Sequence, residues 1–129
     1  MSSKYVLDSF AWVEYFRGTK KGEIVQNCLE EGGCITPTIV LAELSDVYVR
    51  EENNFFERDL SFILSNTTIA DLDREIAAEA GKIKNEVKRM HKANFGLADG
   101  IILATARKFH AKVVTGDQHF RKIRDIVFL

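Results

Sequence analysis

With one proline and two cysteines in 129 residues, the chain has few of the features that mark linkers or covalently stapled scaffolds. Two thiols without a histidine cluster beside them support neither a disulfide framework nor a zinc site. Cys28 and Cys34 therefore read as reduced core cysteines. No Pro-, Gly- or Ser-rich tract interrupts the chain and no internal repeat is visible, which excludes a tethered pair of modules and a solenoid. The longest uncharged apolar run lies inside Gly100 to Ala106, far short of the roughly 20 residues that a membrane span needs. Excess charge of one sign is also missing. The 18 Lys and Arg against 19 Asp and Glu give a net charge of −1, so any nucleic-acid partner has to be gripped locally. Met1-Ser2-Ser3-Lys4 leads straight into Tyr5-Val6-Leu7 without the apolar stretch or small-residue cleavage pattern of a signal peptide, and a cytoplasmic protein is expected.

What is present is apolar residue in quantity. At 46% hydrophobic the chain has enough to fold alone, and residues 1–129 are expected to form a single domain. Tyr5-Val6-Leu7 reads as a short buried strand, Phe10 to Phe16 as a helix closed by Gly18, and Gly22 to Glu31 as a second closed by Gly32-Gly33. Cys34-Ile35 is a brief strand. Thr36 is expected to cap, and Pro37 to open, a helix running through Thr38 to Arg50. Further elements are a helix over Phe55 to Leu64 and a strand at Thr67-Thr68-Ile69. A long amphipathic helix then starts at Asp71 or Asp73, with apolar positions Leu72, Ile76, Ala80, Ile83, Val87 and Met90. Leu97 to Phe109 is apolar around most of its circumference and reads as a buried helix. The strand Lys112 to Thr115, a short helix and the strand Ile126-Val127-Phe128 complete the chain. Alternation of this kind predicts an α/β fold of three layers, a mostly parallel five-stranded sheet with helices on both faces, whose ligands bind outside the carboxyl ends of the strands.

Four carboxylates stand in apolar settings. Asp8 follows the first strand directly, and Asp117 follows Val113-Val114-Thr115-Gly116, with a glycine that allows close backbone approach. Glu43 lies at the edge of the stripe Val40, Leu41, Leu44, Val47 and Tyr48, while Asp99 occupies the first turn of Leu97 to Ala104 on the side of Ile102 and Leu103. Singly, Asp8 and Asp99 suit helix caps or first-turn acids, and Asp117 suits an Asx turn. Taken together they need a counter-charge, since burying an unpaired carboxylate costs several kcal/mol or forces protonation. No Lys or Arg adjoins Asp8, Asp99 or Asp117 in the apolar segments that carry them, so a shared cation is the simpler answer. An oxygen-only ligand set favours Mg²⁺ or Mn²⁺.

In this pattern the chain resembles PIN-domain ribonucleases, and more narrowly the VapC toxins of prokaryotic toxin-antitoxin pairs. The matching segments are Val6-Leu7-Asp8-Ser9, Thr36-Pro37 with Ala42-Glu43-Leu44, Leu97 to Ala106, and Val114-Thr115-Gly116-Asp117 followed by His119-Phe120. The resemblance implies that Asp8, Glu43, Asp99 and Asp117 surround one or two divalent metals, with Ser9 and Thr115 as polar support. Gly100 stands where the family often carries alanine. It further implies Mg²⁺-dependent hydrolysis of single-stranded or structured RNA, Mn²⁺ as a possible substitute, a small VapB-like antitoxin as partner, and a homodimer. The alternative is a non-catalytic PIN-fold RNA-binding or assembly domain, because a fold alone does not confer activity. A phosphoacceptor receiver domain would want paired acids after the first strand and a lysine after a late one, and this chain offers neither.

Other polar residues read more plainly. Glu14 could approach the metal as a further ligand but is taken as a helix-surface acid or a partner of Arg17, and Asp46 as a partner of Arg50 one turn on. His91, His110 and His119 share no ligand spacing; His119 could touch substrate from the loop after Asp117 but reads as solvated. Lys82, Lys84, Lys88, Arg89 and Lys92, together with Lys20-Lys21 and Arg121-Lys122-Arg124, are local basic clusters able to meet phosphates or simply to be solvated. Trp12, Tyr15, Phe16, Phe55 and Phe56 suit either a partner surface or core packing.

Overall fold

The structure, a computed structural model, describes residues 4–91 and 94–129. Lys92, counted above among the basic residues, and Met1-Ser2-Ser3 lie outside the described residues. The elements follow in the order β1 (Tyr5–Leu7), α1 (Ser9–Arg17), α2 (Lys20–Glu31), β2 (Cys34–Pro37), α3 (Thr38–Arg50), α4 (Phe56–Asn66), β3 (Thr68–Ala70), α5 (Arg74–His91), α6 (Leu97–Lys108), β4 (Lys112–Thr115) and β5 (Ile126–Phe128). A 3-10 turn occupies Gln118–Phe120. No helix among the described residues is long and apolar enough to cross a membrane.

All strand pairs are parallel, in the order β3-β2-β1-β4-β5, so the sheet is wholly rather than mostly parallel. The chain steps outward from β1 through β2 to β3, then returns to place β4 on the other side of β1. Right-handed crossovers put α1 to α4 on one face and α5 and α6 on the opposite one, giving three layers. The reversal between β1 and β4 is a topological switch point, where the crossovers diverge and leave a crevice at the carboxyl ends of the two strands. Val6, Leu7, Val113 and Val114 are fully buried between the layers, as strands covered on both faces require.

Thr36 departs from its expected role. It remains in β2, fully buried, where its hydroxyl accepts from the Trp12 indole N–H at 3.2 Å and shares a hydrogen bond with Thr67 at 2.9 Å. The helix opens behind Pro37 without a side-chain cap. A buried indole N–H needs an acceptor, and this demand outweighs a capping contact that water can replace. The stripe of α5 is also shorter than its periodicity suggests. Ile76, Ala80, Ile83 and Val87 are buried, but Leu72 precedes the helix and is 45% exposed, and Met90 near its end is 65% exposed.

Trp12 is fully buried and packs with Tyr15, Phe16 and, from α4, Phe62 in edge-to-face and stacked pairs, so most of these aromatics serve the core. Phe56 packs against Tyr48, whereas Phe55 is 54% exposed beneath the Arg58 guanidinium. Buried Asp59 accepts from the Tyr48 hydroxyl at 2.6 Å and from Arg58 Nε at 3.0 Å, which ties α3 to α4. Three glycines set close approaches. A Cβ on Gly22 would lie 2.4 Å from the Glu14 carbonyl oxygen, where α2 packs on α1. A Cβ on Gly100 would lie 2.5 Å from the Ala80 carbonyl oxygen, where α6 crosses α5, and one on Gly116 would strike the Phe10 ring at 2.3 Å. Alanine, frequent in the family at the position of Gly100, does not fit this crossing.

Candidate active site

The crevice at the switch point gathers the acids. β1 ends at Leu7, and Asp8, only 4% exposed, takes an extended conformation as the N-cap of α1, its Oδ1 accepting from the Ala11 N–H at 2.9 Å. β4 ends one strand away at Thr115. Its buried hydroxyl accepts from the Asp117 N–H at 3.0 Å and lies near enough to the Asp8 carboxyl to favour its ionised form. Asp117 in turn caps the 3-10 turn through the His119 N–H at 3.0 Å. Asp99 reaches back from the first turn of α6 to accept from the Gly96 N–H at 2.9 Å. The bland assignments for these three residues thus hold alongside the clustering: each acid closes a backbone turn and also faces the crevice.

Glu43 caps nothing. It projects from the second turn of α3, and its Oε1 is buried without a hydrogen-bond partner. Asp8, Ser9, Glu43, Asp99 and Asp117 together line a cleft of about 300 Å³, with Phe10, Val13, Val47 and Ile102 as apolar wall. Glu14, Arg17 and Glu51 line it too. Arg17 pairs with Glu51 at 3.0 Å rather than with Glu14, whose carboxylate accepts instead from the Thr19 hydroxyl at 2.9 Å. Asp46 does pair with Arg50, at 2.9 Å, away from the cleft.

The electrostatics reflect crowding of like charge. Burial pushes the Asp8 carboxyl up to about 7, the Thr115 hydroxyl and Ala11 N–H draw it partly back, and the Glu43 and Asp117 charges add to the rise. Burial likewise raises Glu43, against a hydrogen bond from Ser9, and the charges of Asp99 and Asp117 reinforce the shift. Ser9 and Thr115 therefore each favour the ionised form of a neighbouring carboxylate.

One neighbour lies closer to the acids than expected. His119 Nδ1 lies 2.9 Å from Asp99 Oδ2 and 3.6 Å from Asp117 Oδ1, and ligand atoms of Asp99, Asp117 and His119 all lie within 4.8 Å of one another. The expectation of a solvated histidine is corrected: the ring is half-buried against two acids. Its position two residues beyond a strand-end acid was the available signal, because a turn of that length folds its side chain back over the acid. A buried carboxylate oxygen with no donor, two carboxyls held above their usual range and a donor set rich in oxygen together fit a hard divalent cation.

The family model described as PIN domain matches residues 5–126. No curated protein matches the chain. Among solved structures, FitAcB from Neisseria gonorrhoeae is 26% identical with a TM-score of 0.73, covering 97% of this chain and 96% of that one. A toxin-antitoxin complex from Klebsiella pneumoniae is 23% identical with a TM-score of 0.75 and 96% coverage of each chain. VapC20 from Mycobacterium tuberculosis, described as a sarcin-ricin loop cleaving toxin, shares the fold at 13% identity with a TM-score of 0.74, covering 95% of this chain and 97% of its own. The parallel order β3-β2-β1-β4-β5, the acids at its switch point and a family match from Tyr5 to Ile126 lead to one assignment: the chain belongs to the PIN-domain family.

Proposed function

We propose that residues 1–129 act as one domain, a Mg²⁺-dependent endoribonuclease that hydrolyses RNA phosphodiester bonds and serves as the toxin of a VapBC-type pair. Asp8, Glu43, Asp99 and Asp117 are the proposed metal ligands and catalytic residues, with Ser9 and Thr115 as support. The observation that carries the reading is the buried, unpartnered Oε1 of Glu43 in a cleft with three aspartates, where Arg17 is already paired to Glu51. A cation is the simplest partner for that oxygen, and Mn²⁺ should substitute for Mg²⁺.

When bound, the ion supplies Lewis acidity, lowering the pKa of an attacking water and offsetting charge on the phosphate. The protein's own part is to hold the oxygens ready. The Ala11 and Gly96 N–H groups fix Asp8 and Asp99, and the Thr115 hydroxyl holds the Asp117 backbone at the end of the adjacent strand. The apolar wall of Phe10, Val13, Val47 and Ile102 limits water around the carboxylates, which strengthens their pull on a cation. No side chain is asked to attack phosphorus.

A nuclease acting on cellular RNA needs external restraint, and the proposed partner is a small VapB-like antitoxin that sends an Arg or Lys into the acids. The similar structure named as a toxin-antitoxin complex from Klebsiella pneumoniae supports a partner of this kind. A homodimer and a cytoplasmic location complete the proposal. The test is cleavage of a single-stranded RNA with Mg²⁺, expected to disappear with EDTA and in Asp99→Asn. Equal cleavage by the variant would assign the activity to a contaminant. RNA binding that needs no metal and leads to no cleavage would favour the non-catalytic alternative. Co-purification from the native host should return a small protein bound to the chain.

A further inference from the structure

An acid-lined cleft repels a polyanion until it is loaded, and the whole chain carries a net charge of −1, so affinity for a nucleic-acid strand has to come from another surface. A second cleft of about 340 Å³ supplies a candidate. His91 at the end of α5, Asn94, His119, Arg121 and Lys122 line it, and no carboxylate does. Its volume falls within the range of about 300 to 1,000 Å³ usual for ligand clefts.

His119 connects the two. It lines the basic cleft, and its Nδ1 sits 2.9 Å from Asp99, which lines the acidic one. Arg121 is held in position: its guanidinium lies over the Phe128 ring, 4.8 Å from the centroid, and its Nε donates to Gln118 Oε1 at 2.8 Å. One of five guanidinium N–H groups is thereby used and the others are left for an anion. Lys122, exposed beside it, adds a mobile charge, and Asn94 adds an amide able to donate or accept.

We propose that this basic cleft is the seat of the nucleotide next to the scissile phosphate, with Arg121 and Lys122 gripping the adjoining phosphate and the strand crossing over His119. The inference rests on the nuclease reading for what lies in the acidic cleft, and it adds where the rest of the strand is held. The functional division is between acids that act on one phosphate and bases that hold its neighbour.

The experiment measures binding of a fluorescein-labelled single-stranded RNA decamer by anisotropy, in Mg²⁺, on the full chain carrying Asp99→Asn. Cleavage of the same RNA by the chain with native Asp99 is followed in parallel. Lys122→Glu and Arg121→Gln should each raise the dissociation constant about tenfold. Removing both charges should lower the salt slope of log K by roughly 1.4, at about 0.7 per phosphate contact on a single strand. In the active chain the same substitutions should raise KM and leave kcat within twofold. Lys112→Glu, a matched charge reversal at the opposite end of β4, is the control and should leave binding unchanged. Because Arg121 packs on Phe128, the exposed Lys122 carries the decision should Arg121→Gln lower the melting temperature. Active cleavage with Lys122→Glu binding no worse than Lys112→Glu would overturn the basic cleft and leave the nuclease standing. Binding that depends on Lys122 without any cleavage would support the cleft and remove the nuclease. Loss of neither binding nor KM in any variant would overturn the proposal outright.

Discussion

The Cα of Gly100 packs so near the backbone of Ala80 that a methyl group on it would meet the Ala80 carbonyl oxygen at 2.5 Å. The contact lies one residue beyond Asp99 and sets how closely α6 lies on α5. Gly100→Ala should therefore force the two helices apart, lowering stability by about 1 to 3 kcal/mol as overpacking does. Urea denaturation checks this. An unchanged midpoint would mean that the helices yield freely at this crossing.

Asp8 gives a pH dependence of defined sign. Its folded-state pKa of about 7 stands above the unfolded value of 3.8, so between those limits the folded protein holds a proton that the unfolded chain has lost. Stability of the metal-free protein should fall as pH rises through that window, by at most about 4 kcal/mol at about 1.4 kcal/mol per pKa unit. Asp8→Asn keeps an oxygen for the Ala11 N–H and removes the charge. In EDTA at pH 8 it should melt at least about 3 °C above the native sequence, and should show no cleavage.

Glu43→Gln should separate metal binding from folding. The side chain caps no helix, so the metal-free melting temperature should be unchanged or higher, while Mn²⁺ affinity by calorimetry should drop tenfold or more. The native sequence should gain about 2.7 kcal/mol at a hundredfold excess of Mn²⁺ over its dissociation constant, and at equal Mn²⁺ the variant should gain about 1.4 kcal/mol or less.

Tyr48→Phe removes the hydroxyl that donates to buried Asp59 at 2.6 Å. The carboxylate keeps Arg58 but loses a donor, and a cost of about 1 to 3 kcal/mol is expected in chemical denaturation. Cleavage per folded molecule should not change, because Asp59 lies outside the acid-lined cleft.

The order of strands and helices was legible in the sequence because the strands are short apolar runs, α1 and α2 end at Gly18 and Gly32, and α5 carries a regular apolar stripe. The four acids were legible for a related reason: apolar neighbours do not ordinarily tolerate a carboxylate. Roles that depend on distant partners were not legible. Thr36 looked like a cap because capping is a local matter, whereas the Trp12 indole that claims it arrives from 24 residues away. Asp59 gave no signal because Tyr48 meets it only once α3 and α4 pack. Leu72 and Met90 kept the period of α5 but fall beyond the stretch that α6 covers, where periodicity persists without burial.

Asp8, Asp99 and Asp117 each satisfy backbone N–H groups at the start of a turn or helix, and that employment continues whether or not the chain performs chemistry. A descendant that abandoned catalysis would still be held to these three by its need to fold, and three aspartates in a relative would be a record of architecture. Glu43 has no such second employment. Among chains of this kind, the glutamate is the residue by which a working enzyme would be told from a silent copy.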